Sequence, residues 1–229
     1  MDYVAEYISP IITQIEIDYP LCKNCDHGFI DVDYQDHLLI SRICPCFKKR
    51  MTYKNMAMSG IPRRYWEFYD REPFFGKNNH DVYKLVDTKR SAVFWGPSFT
   101  SKTTAATYIL MKKLLEGGKS GYWWKHSIFC QLIIKAKFDD ELFNYIQKTL
   151  TKDVIILDEL GWSTIKNQET VINETMRMIR QVFENGSTLL VTTNYPEKDI
   201  LDMYGAPLYN TLFKTNSKIL SFDEVYSGR

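Results

Sequence analysis

The sequence predicts an α/β fold in which a mainly parallel sheet is flanked by helices, preceded by a small cysteine-rich domain. Two observations predict the sheet: short apolar runs alternate with helix-length stretches after residue 90, and the first run leads through a loop straight into a helix. A cluster of four cysteines between residues 22 and 46 predicts the small domain. We therefore expect an N-terminal domain over 1–60, a linker over 61–90 and the α/β domain over 91–229.

Length and composition fit a folded protein and leave its function open. The chain has 229 residues, of which 45% are hydrophobic and 25% charged, and its formal net charge is +1. Because the overall charge is near zero, binding to nucleic acid or to a membrane would need a local patch. The sequence contains neither an apolar run of membrane-spanning length nor a signal-peptide pattern, so we expect a cytoplasmic protein without a membrane partner.

The N-terminal part carries weak secondary-structure signals and a block of positive charge. Apolar positions before residue 20 predict a short helix that Pro10 kinks or interrupts. From Cys22 to Cys46 the sequence predicts a turn, a short strand and a second turn. Residues 41–64 hold seven basic side chains and no acidic one. Two interpretations of that block stay open: a surface that follows a nucleic-acid backbone, or a solvated linker.

Four of the five cysteines form two closely spaced pairs. The clustered residues are Cys22, Cys25, Cys44 and Cys46. Four thiolates at these spacings suit a tetrahedral structural zinc site, although Cys-x-Cys is tighter than the usual second pair. Zinc would supply folding free energy that so small a domain lacks. Two alternatives stay open: four unpaired thiols, or His27 or His37 in place of one cysteine. Cys130 lies in an apolar helical run and is expected in the core.

The α/β domain is predicted element by element from its apolar runs and turn residues. Predicted strands cover 92–95, 121–124, 154–157, 188–191 and 219–222. Predicted helices cover 104–116, 126–149 with a break at 137–139, 167–184, and a helical pair over 198–213.

The first predicted strand runs into a loop of the kind that binds phosphate. The loop and the start of its helix comprise Gly96, Pro97, Ser98, Phe99, Thr100, Ser101, Lys102, Thr103 and Thr104. In such loops backbone N–H groups hold the phosphates, here with Lys102 reaching the β- and γ-phosphates of ATP and the Thr103 hydroxyl ligating Mg²⁺. Ser101 replaces the second glycine of the usual pattern, which costs on the order of 1 kcal/mol if the position needs a positive φ. The alternative is an unrelated strand-loop-helix with a chance Lys-Thr.

Two further strands end in polar residues that fit the same site. Asp158 and Glu159 follow the strand 154–157. An acidic pair there is expected to hold the water shell of Mg²⁺ through Asp158 and to polarise the attacking water through Glu159. Asn194 follows the strand 188–191 and is expected at the same sheet edge, although it could also cap a turn. With the loop, these residues predict a P-loop NTPase.

Seven short motifs occur in an order that carries a family resemblance. They are Cys-Lys-Asn-Cys-Asp-His-Gly at 22–28, Cys-Pro-Cys at 44–46, Gly-Ile-Pro-Arg-Arg-Tyr at 60–65, the loop at 96–104, Leu-Asp-Glu-Leu-Gly at 157–161, Thr-Thr-Asn at 192–194 and Ser-Gly-Arg at 227–229. With them the chain resembles the DnaC/DnaI helicase-loader branch of the AAA+ ATPases, with the IstB transposition helpers as close relatives. The altered motifs and short length fit a phage or another mobile element as the source.

The resemblance implies a role for each site residue. Asp158 would be the metal residue, Glu159 the catalytic base, Asn194 the sensor that positions water, and Arg229 a second sensor near the phosphates. It further implies a replicative helicase loader that docks on a hexameric helicase through its zinc domain. Single-stranded DNA would run along the ATPase domains, and several copies would assemble on the helicase.

One departure from the family predicts slow hydrolysis. Where the family carries Ser-Arg-Leu before the last strand, this chain has Tyr-Asn-Thr-Leu at 209–212, without arginine. An arginine finger is worth ~10³ or more in rate, so its loss together with Ser101 predicts a weak ATPase. Arg177 or Arg180 could substitute, although both also fit a solvated helix face. Two rival functions therefore stay open: a degenerate AAA+ adaptor without significant ATPase activity, and an IstB-like transposition helper.

Overall fold

The computed structural model describes residues 9–35, 38–161, 168–215 and 217–222. Its internal contacts divide the chain into two units, Met1–Arg63 and Arg64–Arg229. Within the described ranges, the helices are too short or too polar to span a bilayer.

The first unit is a hairpin between two helices. Helix α1 (Ser9–Asp18) precedes strands β1 (Phe29–Gln35) and β2 (Leu38–Ile43), which pair antiparallel, and helix α2 (Pro45–Met58) follows. Pro10 is the second residue of the described part of α1. The predicted kink or interruption at Pro10 depends on the residues before Ser9, which lie outside the described residues. The expected single strand is a two-stranded hairpin.

The basic segment is mainly the helix α2, which differs from the solvated linker that was one of the two open interpretations. Four of its seven bases contact residues of the same unit: Lys49 lies over the Tyr19 ring, Arg50 donates to the Tyr19 carbonyl at 2.8 Å, Lys54 pairs with Glu16, and Arg63 pairs with Asp18 at 2.6 Å. Through these contacts, basic side chains of α2 and of the residues after it bind α1 and Tyr19, the residue that follows α1. The nucleic-acid interpretation of the segment gains no support from them.

The stretch expected as a linker over 61–90 contains two helices, α3 (Glu67–Asp70) and α4 (Asn79–Val86). From Arg64 onwards these residues belong to the second unit. Phe75 is 1% exposed and Val82 is fully buried. Most of this stretch is therefore part of the folded α/β unit, because its apolar side chains help to form that core.

Five parallel strands form the sheet of the second unit, in the order β4-β5-β6-β3-β7. The strands are β3 (Ser91–Trp95), β4 (Gly121–Lys125), β5 (Val154–Asp158), β6 (Thr188–Thr193) and β7 (Ser217–Ser221). The helices between them are α5 (Lys102–Leu115), α6 (His126–Lys135), α7 (Asp140–Leu150), α8 (Gln168–Glu184) and α9 (Glu197–Tyr209). Every strand and helix predicted after residue 90 is confirmed, with ends that differ by one or two residues.

Local signals explain the two breaks that the sequence predicts. Asp139 ends the first break as the N-cap of α7, where its carboxylate accepts from the Leu142 N–H at 2.9 Å. The helical pair is interrupted at Gly205, whose φ of 76° is open to glycine without strain. A π-helical turn, Asn210–Thr215, follows α9.

The strand order brings the polar strand ends together. β5 and β6 are buried along their whole length, as expected for a parallel sheet flanked by helices. Because β3 lies beside β6, and β6 beside β5, the carboxyl ends of these three strands meet at one edge. That edge is where ligands bind in open α/β sheets.

Candidate nucleotide site

The loop between β3 and α5 contains two non-glycine residues in the left-handed region. Phe99 has a φ of 64° and Ser101 a φ of 66°. The position expected to need a positive φ does have one, so Ser101 carries strain of about 1 kcal/mol that glycine would not. Gly96 is required for a different reason, since a Cβ there would lie 2.2 Å from the Phe222 carbonyl oxygen.

Lys102 lies inside the loop that precedes it. Its side chain is 6% exposed and donates to the Pro97 carbonyl and, at 3.1 Å, to the Thr100 hydroxyl. Burial lowers the pKa of Lys102 to about 8, while the charges of Asp158 and Glu159 oppose that shift. The loop therefore holds a poorly solvated cation beside the N-terminus of α5, where an anion is favoured.

Asp158 lies below the loop and joins it to two strands. Its carboxylate accepts from the Thr103 hydroxyl at 2.7 Å and from the Thr192 hydroxyl at 2.6 Å. The residue is 1% exposed, and burial raises its pKa although both hydrogen bonds oppose that effect. Hard oxygen ligands of this kind suit Mg²⁺. Thr103 and Asp158 therefore fit the metal role that the sequence predicts for them.

Glu159 lies next to Asp158 in a different environment. It is exposed, has a φ of 58°, and pairs with Lys125 at 2.8 Å. Lys125 ends β4 and is the register partner of Asp158. The ion pair keeps the Glu159 carboxylate at the rim of the site, where water can reach it.

The segment after β5 is fixed by several hydrogen bonds. The Leu160 N–H donates to the Thr192 carbonyl at 2.8 Å, and the Tyr204 hydroxyl donates to the Gly161 carbonyl at 2.6 Å. Tyr204 also lies 3.4 Å from His126, which in turn contacts Cys130. Cys130 is fully buried, so its predicted place in the core is confirmed.

The loop between β3 and α5 and the ends of β5 and β6 form a cleft of about 460 Å³. Its lining comprises Arg64, Tyr65, Ser98, Phe99, Thr100, Ser101, Lys102, Thr103, Thr104, Glu159, Thr192 and Asn194. Asp158 lies beneath this lining, in contact with Thr103, and Gly96 packs against Phe222 instead. The sequence-predicted loop, acidic pair and Asn194 are thus brought together at the sheet edge.

Arg229, expected as a second sensor, lies outside the described residues. Arg177 and Arg180 line a different groove, of about 670 Å³, between α7, α8 and α9. Within the described chain, the arginine that lines the nucleotide cleft is Arg64.

Sequence reasoning missed four residues of the cleft or its rim: Arg64, Tyr65, Lys125 and Thr192. Arg64 and Tyr65 belong to a motif that supported the family resemblance but received no role in the site. Thr192 stands in Thr-Thr-Asn, of which only the asparagine received a role. Lys125 directly follows the strand predicted over 121–124, and a charged residue at the end of a strand could have indicated that it lies at the site.

The four cysteines of the first unit also converge. All four Sγ atoms lie within 4.8 Å of one another, with 3.5 Å between Cys22 and Cys44 and 3.6 Å between Cys25 and Cys46. In a tetrahedral site with Zn–S bonds of about 2.3 Å, the sulfur atoms lie ~3.8 Å apart. The cluster is therefore consistent with zinc.

The histidine alternatives find no support in this cluster. The metal-competent group among the described residues contains four cysteines and no histidine. His27 is exposed and lies 3.6 Å from Asp26, and His37 lies outside the described residues.

Comparison with known proteins adds a family and a fold. A family model described as IstB-like ATP binding protein matches residues 74–210. The fold is similar to the crystal structure of the DnaC helicase loader, with a TM-score of 0.61 and 16% identity over 70% of this chain and 99% of that chain. The fold is also similar to a crystal structure of DnaI, with a TM-score of 0.52 and 12% identity over 68% of this chain and 87% of that chain. A structure of AMPPCP-bound DnaA from Aquifex aeolicus has a TM-score of 0.53 and 12% identity over 62% of this chain and 44% of that chain. No curated protein gives a significant match.

Proposed function

The chain belongs to the family of IstB-like ATP-binding proteins, and we propose that it is a replicative helicase loader. In this role it binds ATP with Mg²⁺, docks on a hexameric DNA helicase and helps to place that helicase on single-stranded DNA. The observation that carries the ATP-binding part of the proposal is the Asp158 carboxylate, which accepts hydrogen bonds from the hydroxyls of Thr103 and Thr192.

The AAA+ unit has the parts that ATP binding needs. The loop residues Ser98 to Ser101 and the first residues of α5 line the cleft together with Lys102, and backbone N–H groups of such a loop would bind the phosphates. Lys102 would exchange its hydrogen bonds to the loop for charge-assisted bonds to phosphate. Thr103 and Asp158 would hold Mg²⁺, and a bound Mg²⁺ would neutralise negative charge on the phosphates.

Hydrolysis is proposed to be weak. Glu159 would accept a proton from the attacking water, and Asn194 at the mouth of the cleft would orient that water. Ser101 opposes tight binding because its strained loop position carries a side chain where a glycine would leave room.

The first unit would serve the partner. With zinc on its four cysteines, a domain of this size could hold one fold, which a docking surface requires. The match that covers 99% of a chain described as the DnaC helicase loader supports a helicase as that partner. We propose that several copies assemble on the helicase and contact single-stranded DNA.

The main alternative is an adaptor that works by contact alone. Ser101 and the absence of arginine from residues 209–212 favour it, since both weaken a nucleotide site. A transposition helper is the second alternative, favoured by the IstB-like description of the family.

A helicase-loading assay separates these functions. The full-length protein is mixed with the hexameric replicative helicase of its host cell, and the complex is followed by size-exclusion chromatography and by unwinding of DNA whose single strand is coated with binding protein. We expect co-elution and unwinding that rises at least several-fold with ATP and Mg²⁺.

Two results would redirect the assignment. Equal stimulation by Lys102→Ala and by the wild type would indicate the adaptor. Absence of any helicase complex would contradict both the loader and the adaptor, and would leave the transposition helper.

A further inference from the structure

The nucleotide cleft contains an arginine from the same chain. Arg64 lies in the short 3₁₀ turn Arg63–Tyr65 and lines the cleft together with Lys102, Glu159 and Asn194. It is the arginine that lines the cleft within the described residues, whereas Arg177 and Arg180 line a separate groove.

Tyr65 positions this arginine next to the reacting end of the site. The Arg64 guanidinium carbon lies 4.8 Å from the centroid of the Tyr65 ring. Tyr65 lines the same cleft as Thr103, whose hydroxyl donates to Asp158, and these two residues fit Mg²⁺. Arg64 is thereby tied to the part of the cleft where the terminal phosphate of ATP would lie.

The charge of Arg64 is available to a ligand. The side chain is exposed, and among the described residues no carboxylate forms an ion pair with it; its contact is with the Tyr65 ring. By contrast, the neighbouring Arg63 pairs with Asp18 at 2.6 Å. A guanidinium without a carboxylate partner among the described residues is well placed to bind phosphate oxygens, which it can do through two parallel hydrogen bonds.

We propose that Arg64 supplies in cis the positive charge that stabilises the γ-phosphoryl group during ATP hydrolysis. This inference rests on the proposed ATP site. It removes the need for an arginine from a neighbouring copy, which the sequence at residues 209–212 does not provide.

The step is an in-line displacement at the γ-phosphorus. The oxygen of a water molecule forms a bond to phosphorus, and the bond between phosphorus and the bridging oxygen breaks. Its electron pair stays on that oxygen, so ADP leaves. Glu159 accepts a proton from the water, and the products are ADP and inorganic phosphate. The Arg64 guanidinium donates hydrogen bonds to γ-phosphoryl oxygens while negative charge is spread over them.

The test compares three substitutions in the full-length protein. Arg64→Ala removes the charge, Arg64→Lys keeps it without the planar fork, and Arg63→Ala is the matched control one residue away. Single-turnover ATP hydrolysis is measured with ATP and ADP affinities and melting temperatures. We expect Arg64→Ala to slow hydrolysis by roughly 10²- to 10³-fold with ADP affinity changed less than about threefold. Arg64→Lys should fall between, and Arg63→Ala should hydrolyse within about twofold of the wild type.

A mixing experiment separates action in cis from action in trans. Lys102→Ala lacks a working nucleotide site but keeps Arg64, so it is added in excess to Arg64→Ala. We expect no recovery of hydrolysis, because each arginine serves its own site. Recovery would overturn the proposal, as would hydrolysis by Arg64→Ala at the wild-type rate.

The outcomes distinguish this inference from the proposed function. If the wild type binds no ATP, the proposed function fails and this inference fails with it. If the wild type binds ATP and Arg64→Ala leaves hydrolysis unchanged, only the assignment of Arg64 fails. A wild type that binds ATP without hydrolysing it would also overturn that assignment.

Discussion

Cys25→Ser is expected to release zinc and to unfold the first unit while the second unit stays folded. The described part of this unit is a two-stranded hairpin with two helices, which offers little apolar core. Structural zinc sites contribute about 10–16 kcal/mol of apparent binding free energy, as much as the whole stability of many domains. The four cysteines are free thiols and form no disulfide. Without zinc, no cross-link would therefore connect them, and only the backbone would join the hairpin to α2.

Zinc content and limited proteolysis of the full chain measure this effect. The wild type should hold one zinc per chain and resist cleavage before residue 63, whereas Cys25→Ser should lose both properties and keep its ATP affinity. Cys130→Ser is the control, since Cys130 is buried in the other unit and should leave zinc content at one per chain. Protection that survives removal of zinc by a selective chelator would contradict the zinc assignment.

Asp158→Asn is expected to abolish hydrolysis without lowering stability. Burial raises the pKa of Asp158, so the folded state binds its proton more tightly than the unfolded state does. Because the carboxyl pKa is higher in the folded state than in the unfolded state, the free energy of unfolding decreases as the pH rises through the titration of this group. At neutral pH the charged Asp158 therefore destabilises the folded state. Asparagine keeps the shape and can still accept from Thr103 and Thr192, but it removes the charge that Mg²⁺ needs.

The melting temperature of Asp158→Asn should therefore equal or exceed that of the wild type, while hydrolysis falls by roughly 100-fold or more. Asp153→Asn is a control with the opposite expected effect on stability, because Asp153 lies just before β5, at the other end of the strand from Asp158. Hydrogen bonds from the Ser120 N–H and hydroxyl lower the pKa of Asp153, so its charge stabilises the fold above its titration. That variant should melt slightly lower and hydrolyse normally. A large loss of stability in Asp158→Asn would contradict the account of this carboxylate.

Most of the α/β unit could be predicted because its strands are short apolar runs that end in charged or small residues. Val154 to Leu157 is uniformly apolar because β5 is buried on both faces. The left-handed conformation of Ser101 was also foreseeable, because a loop that folds around phosphate needs it just before the lysine.

The first unit was harder to predict for physical reasons. β1 alternates apolar residues with acidic ones at Asp31 and Asp33, so it lacks the continuous apolar run that identifies a buried strand. The basic residues of α2 suggested a solvated linker, whereas Lys54 pairs with Glu16 of α1 and Arg50 donates to the carbonyl of Tyr19, the residue after α1. Such pairing depends on a contact distant in sequence.

The missed residues of the cleft share one cause. Lys125 pairs with Glu159 because β4 and β5 are neighbours in the sheet. The order of strands in a sheet cannot be predicted from a local sequence pattern. Arg64 and Tyr65 line the cleft although α3, α4 and β3 separate them in the sequence from Lys102 and Thr103. The composition of a segment does not reveal such an approach.

The central claim is that this cleft binds ATP through Lys102, and calorimetric titration with ATP and Mg²⁺ tests it most directly. Lys112→Ala is the matched control on the same helix, because Lys112 pairs with Glu116 and does not line the cleft. The account predicts micromolar binding by the wild type and by Lys112→Ala, and affinity reduced roughly 100-fold or more in Lys102→Ala. Equal binding by Lys102→Ala, or no binding by the wild type, would contradict it.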